Sequence, residues 1–396
     1  MKRFLSSLAA FWLMPVSLLA WTSGELLIWM DNERAQALEP LAKKFQQDLG
    51  IRIEIQTSTN ITSNFPIMAQ VGKGPDIVIW AHDKVGEWAD AGLIAPVDVS
   101  DEFMGKFFPQ AWEAVMHNGL AWAYPIAMET VTLIYNKRLL PGEPPTDLSQ
   151  LPALDQQIRS KQPAVRTILW DYQNAYYSWG IFAGTGAYVF RKKGTNYDLA
   201  NVGVATPGAV QALSQIVALV RENILPPSIS YSSTEHLMGE GKLAMTISGP
   251  WAWSNLIKSG IDFGLAPLPG VNGKPARPFV GVSAAYINRA SLNGNLIQFF
   301  LQNYLLTDEW LNAMNQVKPI GVPAVVSLYE ELANRYPLVR DLNRCVKEGE
   351  VMPNIPEMGR FFSAVGGAIQ TAAQNRASPK SALEDAAAQI RQEGHF

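Results

Sequence analysis

The sequence predicts an α/β protein of two lobes, each a mainly parallel sheet flanked by helices, on three observations. The chain has 396 residues, beyond the roughly 250 to 300 at which a single hydrophobic core stops growing. Its 48% hydrophobic content against 17% charged residues suits a folded chain rather than a disordered one. Short apolar runs also alternate with helix-periodic segments. This is the grammar of βαβ units, whose right-handed crossovers make neighbouring strands parallel.

The elements follow in order. Lys2 and Arg3 precede an apolar run from Phe4 to Leu19, broken by Pro15, with Ala20 as a small residue at the cut; residues 1–20 read as a signal peptide. The run falls short of the roughly 20 uninterrupted apolar residues that span a bilayer. No cysteine follows it to carry a lipid, because the single cysteine is Cys345. The mature protein is therefore expected free in the periplasm of a bacterium with two membranes. Residues 25–30 form a short apolar strand, and Leu38, Leu41, Ala42 and Phe45 then repeat at i, i+3, i+4 and i+7, as on one helix face. Ile51, Ile53 and Ile55 alternate as in a strand. A helical stretch over 65–71 ends at the turn Gly72-Lys73-Gly74-Pro75, and the strand 76–80 leads into a helix at Asp83. The same alternation returns with candidate strands at 167–170, 202–205, 244–248 and 263–267, separated by helices such as 209–222. A Pro-rich loop over 140–152 lies near the junction of the lobes, and the chain is mainly helical from about Gln298.

Composition excludes several function classes. A formal net charge of -3 leaves no general basic field for nucleic acid or an anionic membrane. One cysteine allows no intramolecular disulfide and no cysteine-based metal cluster, and four scattered histidines make no metal site. No metal and no cofactor are expected.

Small ligands of parallel sheets collect beyond the carboxyl ends of the strands. The first strand leads there into Asp31, Asn32, Glu33 and Arg34, and the third into Trp80, Ala81, His82, Asp83 and Lys84. An aromatic face beside carboxylates and a guanidinium is what carbohydrate recognition requires: the ring stacks on the C–H face of a pyranose and the charged groups bond its hydroxyls. Glu33 or Asp83 alone would read as a first-turn complement to a helix dipole; together, at two strand ends, they favour binding. Trp251 follows the strand 244–248, with Trp253 read as core. Tyr176, Tyr177 and Trp179 follow the strand 167–170, and one or two of them should pack internally. His82 reads as a structural histidine with its bonds satisfied.

Longer motifs sharpen this reading. Leu27-Ile28-Trp29, Gly74-Pro75-Asp76-Ile77, Trp80-Ala81-His82-Asp83, Tyr124-Pro125-Ile126-Ala127, Leu133-Ile134-Tyr135-Asn136-Lys137, GPWAWSN at 249–255, Pro278-Phe279-Val280-Gly281, NYLLTDE at 303–309 and MPNIP at 352–356 run in one order along the chain. In these segments the chain resembles the periplasmic maltose/maltodextrin-binding proteins. The resemblance implies a two-lobed clamp crossed three times by the chain, with hinges near 128–131, 280–284 and 332–336. One lobe would comprise 21–128 and 284–332, the other 129–283 and 333–396. It implies that Glu33, Arg34, Asp83 and Glu129 bond sugar hydroxyls, with Lys84 where the family usually has Arg, and that Trp80, Tyr176 and Trp251 stack on the sugar.

Some positions depart from the family. Asn174 stands where it has a carboxylate, Ala175 replaces Pro and Tyr177 replaces Phe. Phe362, Ser363 and Gly366 stand for Trp, Tyr and Arg, and Asn60 and Thr62 replace charged groups. The expected protein is a monomeric solute-binding subunit that captures an α-linked glucose oligosaccharide and presents it to the membrane subunits of an ABC importer. The losses around Asn174 and Phe362 favour maltodextrins or cyclodextrins over maltose. A secreted glycosidase is the alternative, since Glu33, Asp83 and Glu129 could nominally supply two carboxylates about 5 to 9.5 Å apart; the resemblance to binding proteins argues against it.

Overall fold

The computed structural model describes residues 24–58, 60–194 and 196–392, apart from the side chain of Glu33. The expected signal peptide lies outside these residues. In chain order the strands are β1 (Glu25–Met30), β2 (Arg52–Thr57), β3 (Ile77–Ala81), β4 (Met116–His117), β5 (Leu120–Ala121), β6 (Tyr124–Thr130), β7 (Thr132–Asn136), β8 (Arg166–Ile168), β9 (Tyr188–Lys193), β10 (Asn196–Gly203), β11 (Leu243–Ser248), β12 (Phe263–Ala266), β13 (Phe279–Ile287), β14 (Val322–Pro323) and β15 (Glu350–Val351).

Two main sheets result. The first has the order β14-β6-β13-β3-β1-β2, with β15 beside β13; the second has the order β12-β7-β11-β8. The α/β class and the early βαβαβ unit hold: β1 pairs in parallel with β2 and β3, and helix Asn32–Leu49 between them buries Leu38, Leu41 and Phe45. The sheets are mixed, however, rather than mainly parallel. β13 runs antiparallel to both β3 and β6, and β7 runs antiparallel to both β11 and β12. The apolar runs do not encode strand direction, so the parallel rule carries only where a helix crosses between neighbours.

Of the later candidate strands, 167–170, 244–248 and 263–267 correspond to β8, β11 and β12. Residues 202–205 only overlap the end of β10, which pairs with β9 as a separate two-stranded hairpin. The chain passes between the main sheets at Val131, directly between β6 and β7, and returns between β12 and β13. Sheet membership departs from the expected lobe boundaries in three places, since residues 129–130 lie within β6 and residues 279–283 within β13 of the first sheet, and β15 joins β13.

Internal polar contacts fix the first sheet. Asp76, buried, accepts from Leu27 N–H at 2.7 Å and from Asn293 Nδ2 at 3.1 Å, tying β1 to the loop after β13. Burial pushes its carboxyl above the usual range, and its donors oppose that shift.

Candidate functional site

At the carboxyl ends of β1, β2 and β3 lies a cleft of about 890 Å³, within the size of small-molecule sites. β1 leads into Asp31 and Arg34, β2 ends on Thr57 and Ser58, and β3 carries Trp80. Glu129 from β6, Ser283 from β13 and Lys318 from the loop before β14 complete the lining. The main chain turns into a helix straight after β1, where Arg34 N–H donates to Asp31 Oδ1 at 3.0 Å. The two side chains stay paired, Nη1 to Oδ2 at 3.8 Å. Arg34 Nε is buried without a partner among the described residues, an orphan donor of the kind a ligand satisfies.

Charge is balanced around the floor of this cleft. Burial raises the carboxyl of Glu129 above its ordinary value, while Arg34 lowers it and Asp31 raises it further. Burial draws the Lys318 ammonium below its ordinary value, and Asp31 opposes that. Asp83, on the 3-10 turn that extends β3, is pushed up to about 6 by burial, against the attraction of Lys84. Its Oδ1 is likewise buried without a partner among the described residues.

An aromatic cluster adjoins the polar floor. Tyr176 and Tyr177 open helix Ala175–Gly184, and Trp251 sits on the turn after β11. The Tyr176 ring lies 6.1 Å from Trp251 and 5.8 Å from Tyr177, and Tyr177 stacks on Tyr231. The two groups meet at Gly281 of β13: a Cβ placed there would lie 3.5 Å from both Glu129 Cγ and the Tyr176 hydroxyl. Burial raises the Tyr176 hydroxyl well above the phenolic range, with the charges of Glu129 and Asp83 adding to it, so the phenol stays a donor at any physiological pH.

Among the residues expected from the sequence, Arg34, Trp80 and Glu129 line the cleft, and Tyr176, Tyr177, Trp251 and Asp83 gather beside it. The other positions have different engagements. Lys84 donates to Glu87 Oε2 at 2.8 Å, and exposed Asn174 caps helix Ala175–Gly184 by accepting from Tyr176 N–H at 3.1 Å. Phe362 packs against Phe361 and Phe279. Glu33 stands in the first turn of helix Asn32–Leu49, and its side chain lies outside the described residues. Gly366 is a packing glycine, since a Cβ there would lie 2.9 Å from the Gln173 carbonyl oxygen. The absence of a long side chain at that position therefore reflects close approach of two backbones as well as lost bulk. Trp179 and Trp253 are core, as expected, and His82 is fully buried with both ring nitrogens bonded.

Sequence reasoning missed Lys318, Ser283, Thr57 and Ser58. Lys318 stands in a Pro- and Gly-containing loop, Lys318-Pro319-Ile320-Gly321, which by itself reads as exposed connection. Only its docking against β6 turns it inward. No group of acidic, histidine or cysteine side chains among the described residues could hold a metal ion, and no described helix is long and apolar enough to cross a membrane.

Comparison with known proteins bears on the family. The chain is 29% identical to a maltotriose-binding protein of Pyrococcus abyssi, over 88% of this chain and 77% of that one. It is 27% identical to a galactooligosaccharide-binding protein of Bacillus subtilis, over 92% and 88%, and 25% identical to a maltodextrin-binding protein of the same organism, over 91% and 88%. These relatives bear out the resemblance read from the motifs, and they are binding proteins rather than enzymes. The profile of the bacterial extracellular solute-binding proteins matches residues 31–310, and this chain belongs to that family.

Proposed function

We propose that this protein is the periplasmic, monomeric capture subunit of an ABC importer and that its solute is an α-linked glucose oligosaccharide. The observation that carries the reading is the meeting of a charge-balanced polar floor with the Tyr176–Tyr177–Trp251 cluster at Gly281. Hydroxyls need donors and acceptors held in fixed positions, and the apolar face of a pyranose needs an aromatic ring. Residues 1–20 act as the cleaved export signal. One lobe is built from 21–128 and 284–332 and the other from 129–283 and 333–396. Asp31, Arg34, Trp80 and Asp83 bind from the first, and Glu129, Tyr176, Tyr177 and Trp251 from the second; Val131, where the chain changes sheets, is one hinge. Solute that touches both faces binds the closed form more tightly and shifts the population towards it, and the closed, loaded protein is what the membrane subunits receive.

Ligand choice rests on the wall near Phe362 and Asn174, where smaller or capping side chains replace sugar-gripping ones. Maltodextrins and cyclodextrins should bind more tightly than maltose. Calorimetric titration with maltose, maltoheptaose, α- and β-cyclodextrin and a galacto-oligosaccharide tests this. Tightest binding of maltose would overturn the preference, and binding of galacto-oligosaccharide alone would overturn the α-glucan class. Maltoheptaose incubated with the protein should stay uncleaved; shorter products at enzyme rates would return the glycosidase reading.

A further inference from the structure

We infer that Lys318 contacts the solute directly, as a hydroxyl donor supplied to the cleft by the loop before β14; the inference rests on the oligosaccharide-binding reading above. The first observation is chemical. Asp31 and Glu129 as carboxylates can only accept hydrogen bonds, so among the charged groups of the cleft lining the donors are Arg34 and Lys318. Arg34 is partly engaged by Asp31. A ring of hydroxyls presents acceptors as well as donors, and an ammonium N–H answers an acceptor.

The second observation is mechanical. Lys318 N–H donates to the Met314 carbonyl at 3.0 Å, and Ile320 N–H donates to Asn315 Oδ1 at 3.2 Å, so the loop is tied back to helix Asp308–Val317. At its far end Val322 pairs with Met128 in β6. Between them Gly321 adopts a φ of +93°, and a Cβ there would lie 2.6 Å from the Met128 carbonyl oxygen, 3.5 Å from Pro250 Cγ and 3.6 Å from Glu129 Cβ. The loop that carries Lys318 is thus wedged at Gly321 between β6 and the turn that holds Trp251. A long side chain on so fixed a base loses less freedom on binding than one on an open loop. The half-buried ammonium has also given up part of its hydration, with Asp31 as its opposing charge, so a sugar oxygen reaching it displaces less water.

Lys318→Met, Lys318→Gln and Lys318→Arg, titrated calorimetrically with maltotriose and maltoheptaose and melted without ligand, test the inference. Lys318→Met should bind roughly 10- to 100-fold more weakly, the range for a lost charge-assisted hydrogen bond. Lys318→Arg should recover most of the affinity, and the ligand-free melting temperatures should stay close to wild type. Should Lys318→Met fail to fold, Lys318→Gln reads the same loss of charge. Wild-type affinity in the neutral variants overturns the inference. So does a loss of affinity shared by Lys318→Arg and matched by a lower melting temperature, which would make Lys318 a structural partner of Asp31. A wild-type protein that binds none of these sugars overturns the parent reading instead, and this inference with it.

Discussion

Val282 donates its backbone N–H to Nδ1 of His82 at 2.9 Å, which leaves Nε2 to carry the proton and donate to the Met352 carbonyl at 2.9 Å. His82 is fully buried, and burial lowers its pKa from 6.5 to about 4. Between those values the unfolded chain binds a proton that the folded chain refuses. Stability from this group is therefore present above pH 6.5 and is lost as pH falls towards 4, by up to roughly 3 kcal/mol. Asp83, raised to about 6, works in the opposite sense over part of that range. His82→Gln should be less stable than wild type at pH 7.5, and the gap should narrow by pH 4.5 in urea denaturation. A gap that stays constant would show that the ring is not excluded from protonation.

Asp83 makes a separate prediction for binding. Its unpartnered Oδ1 awaits a donor, and sugar hydroxyls donate best to an ionised carboxylate. Affinity for a maltodextrin should weaken as pH falls through about 6. Asp83→Asn should bind about 10-fold or more weakly at pH 7.5 and lose the pH dependence between 5 and 7.5. If the variant kept the wild-type profile, another group would be responsible.

Gly249 holds Trp251 in place. A Cβ at Gly249 would run into the six-membered ring of Trp251, while its φ of -119° is open to any residue. Gly249→Ala should therefore leave the fold intact and displace the indole. We expect an affinity loss approaching that of Trp251→Ala, about 1 to 3 kcal/mol, together with a changed tryptophan fluorescence response to ligand. Unchanged affinity in both variants would make Trp251 a packing residue.

Closure predicts a smaller radius of gyration in the presence of a saturating maltodextrin. X-ray scattering profiles that superimpose with and without ligand would rule it out.

The amino-acid pattern alone was enough for β1, β2 and β3 and the helix between the first two, because apolar runs bounded by turns and a 3.6-residue stripe are local properties. It also placed Arg34 and Trp80, since a residue at a strand end inherits its position from the strand. Trp251 was placed in the same way after β11, with its stacking role implied by motif resemblance, and Glu129 came from that resemblance alone. β13 was not legible in the same way. Its segment FVGVSAAYI mixes Gly, Ser and Ala into a fully buried run, and its strand character comes from pairing with β3 and β6 on either side. Strand direction likewise depended on the order in which distant segments met. Lys318 shows the same limit at the site. A lysine between Val317 and Pro319 reads as a solvated loop position, and only the wedging of Gly321 against Met128 and Pro250 carries that charge into the cleft beside Asp31. Periodicity and turn chemistry act over a few residues, whereas burial of a charge is decided by whichever chain segment packs across it.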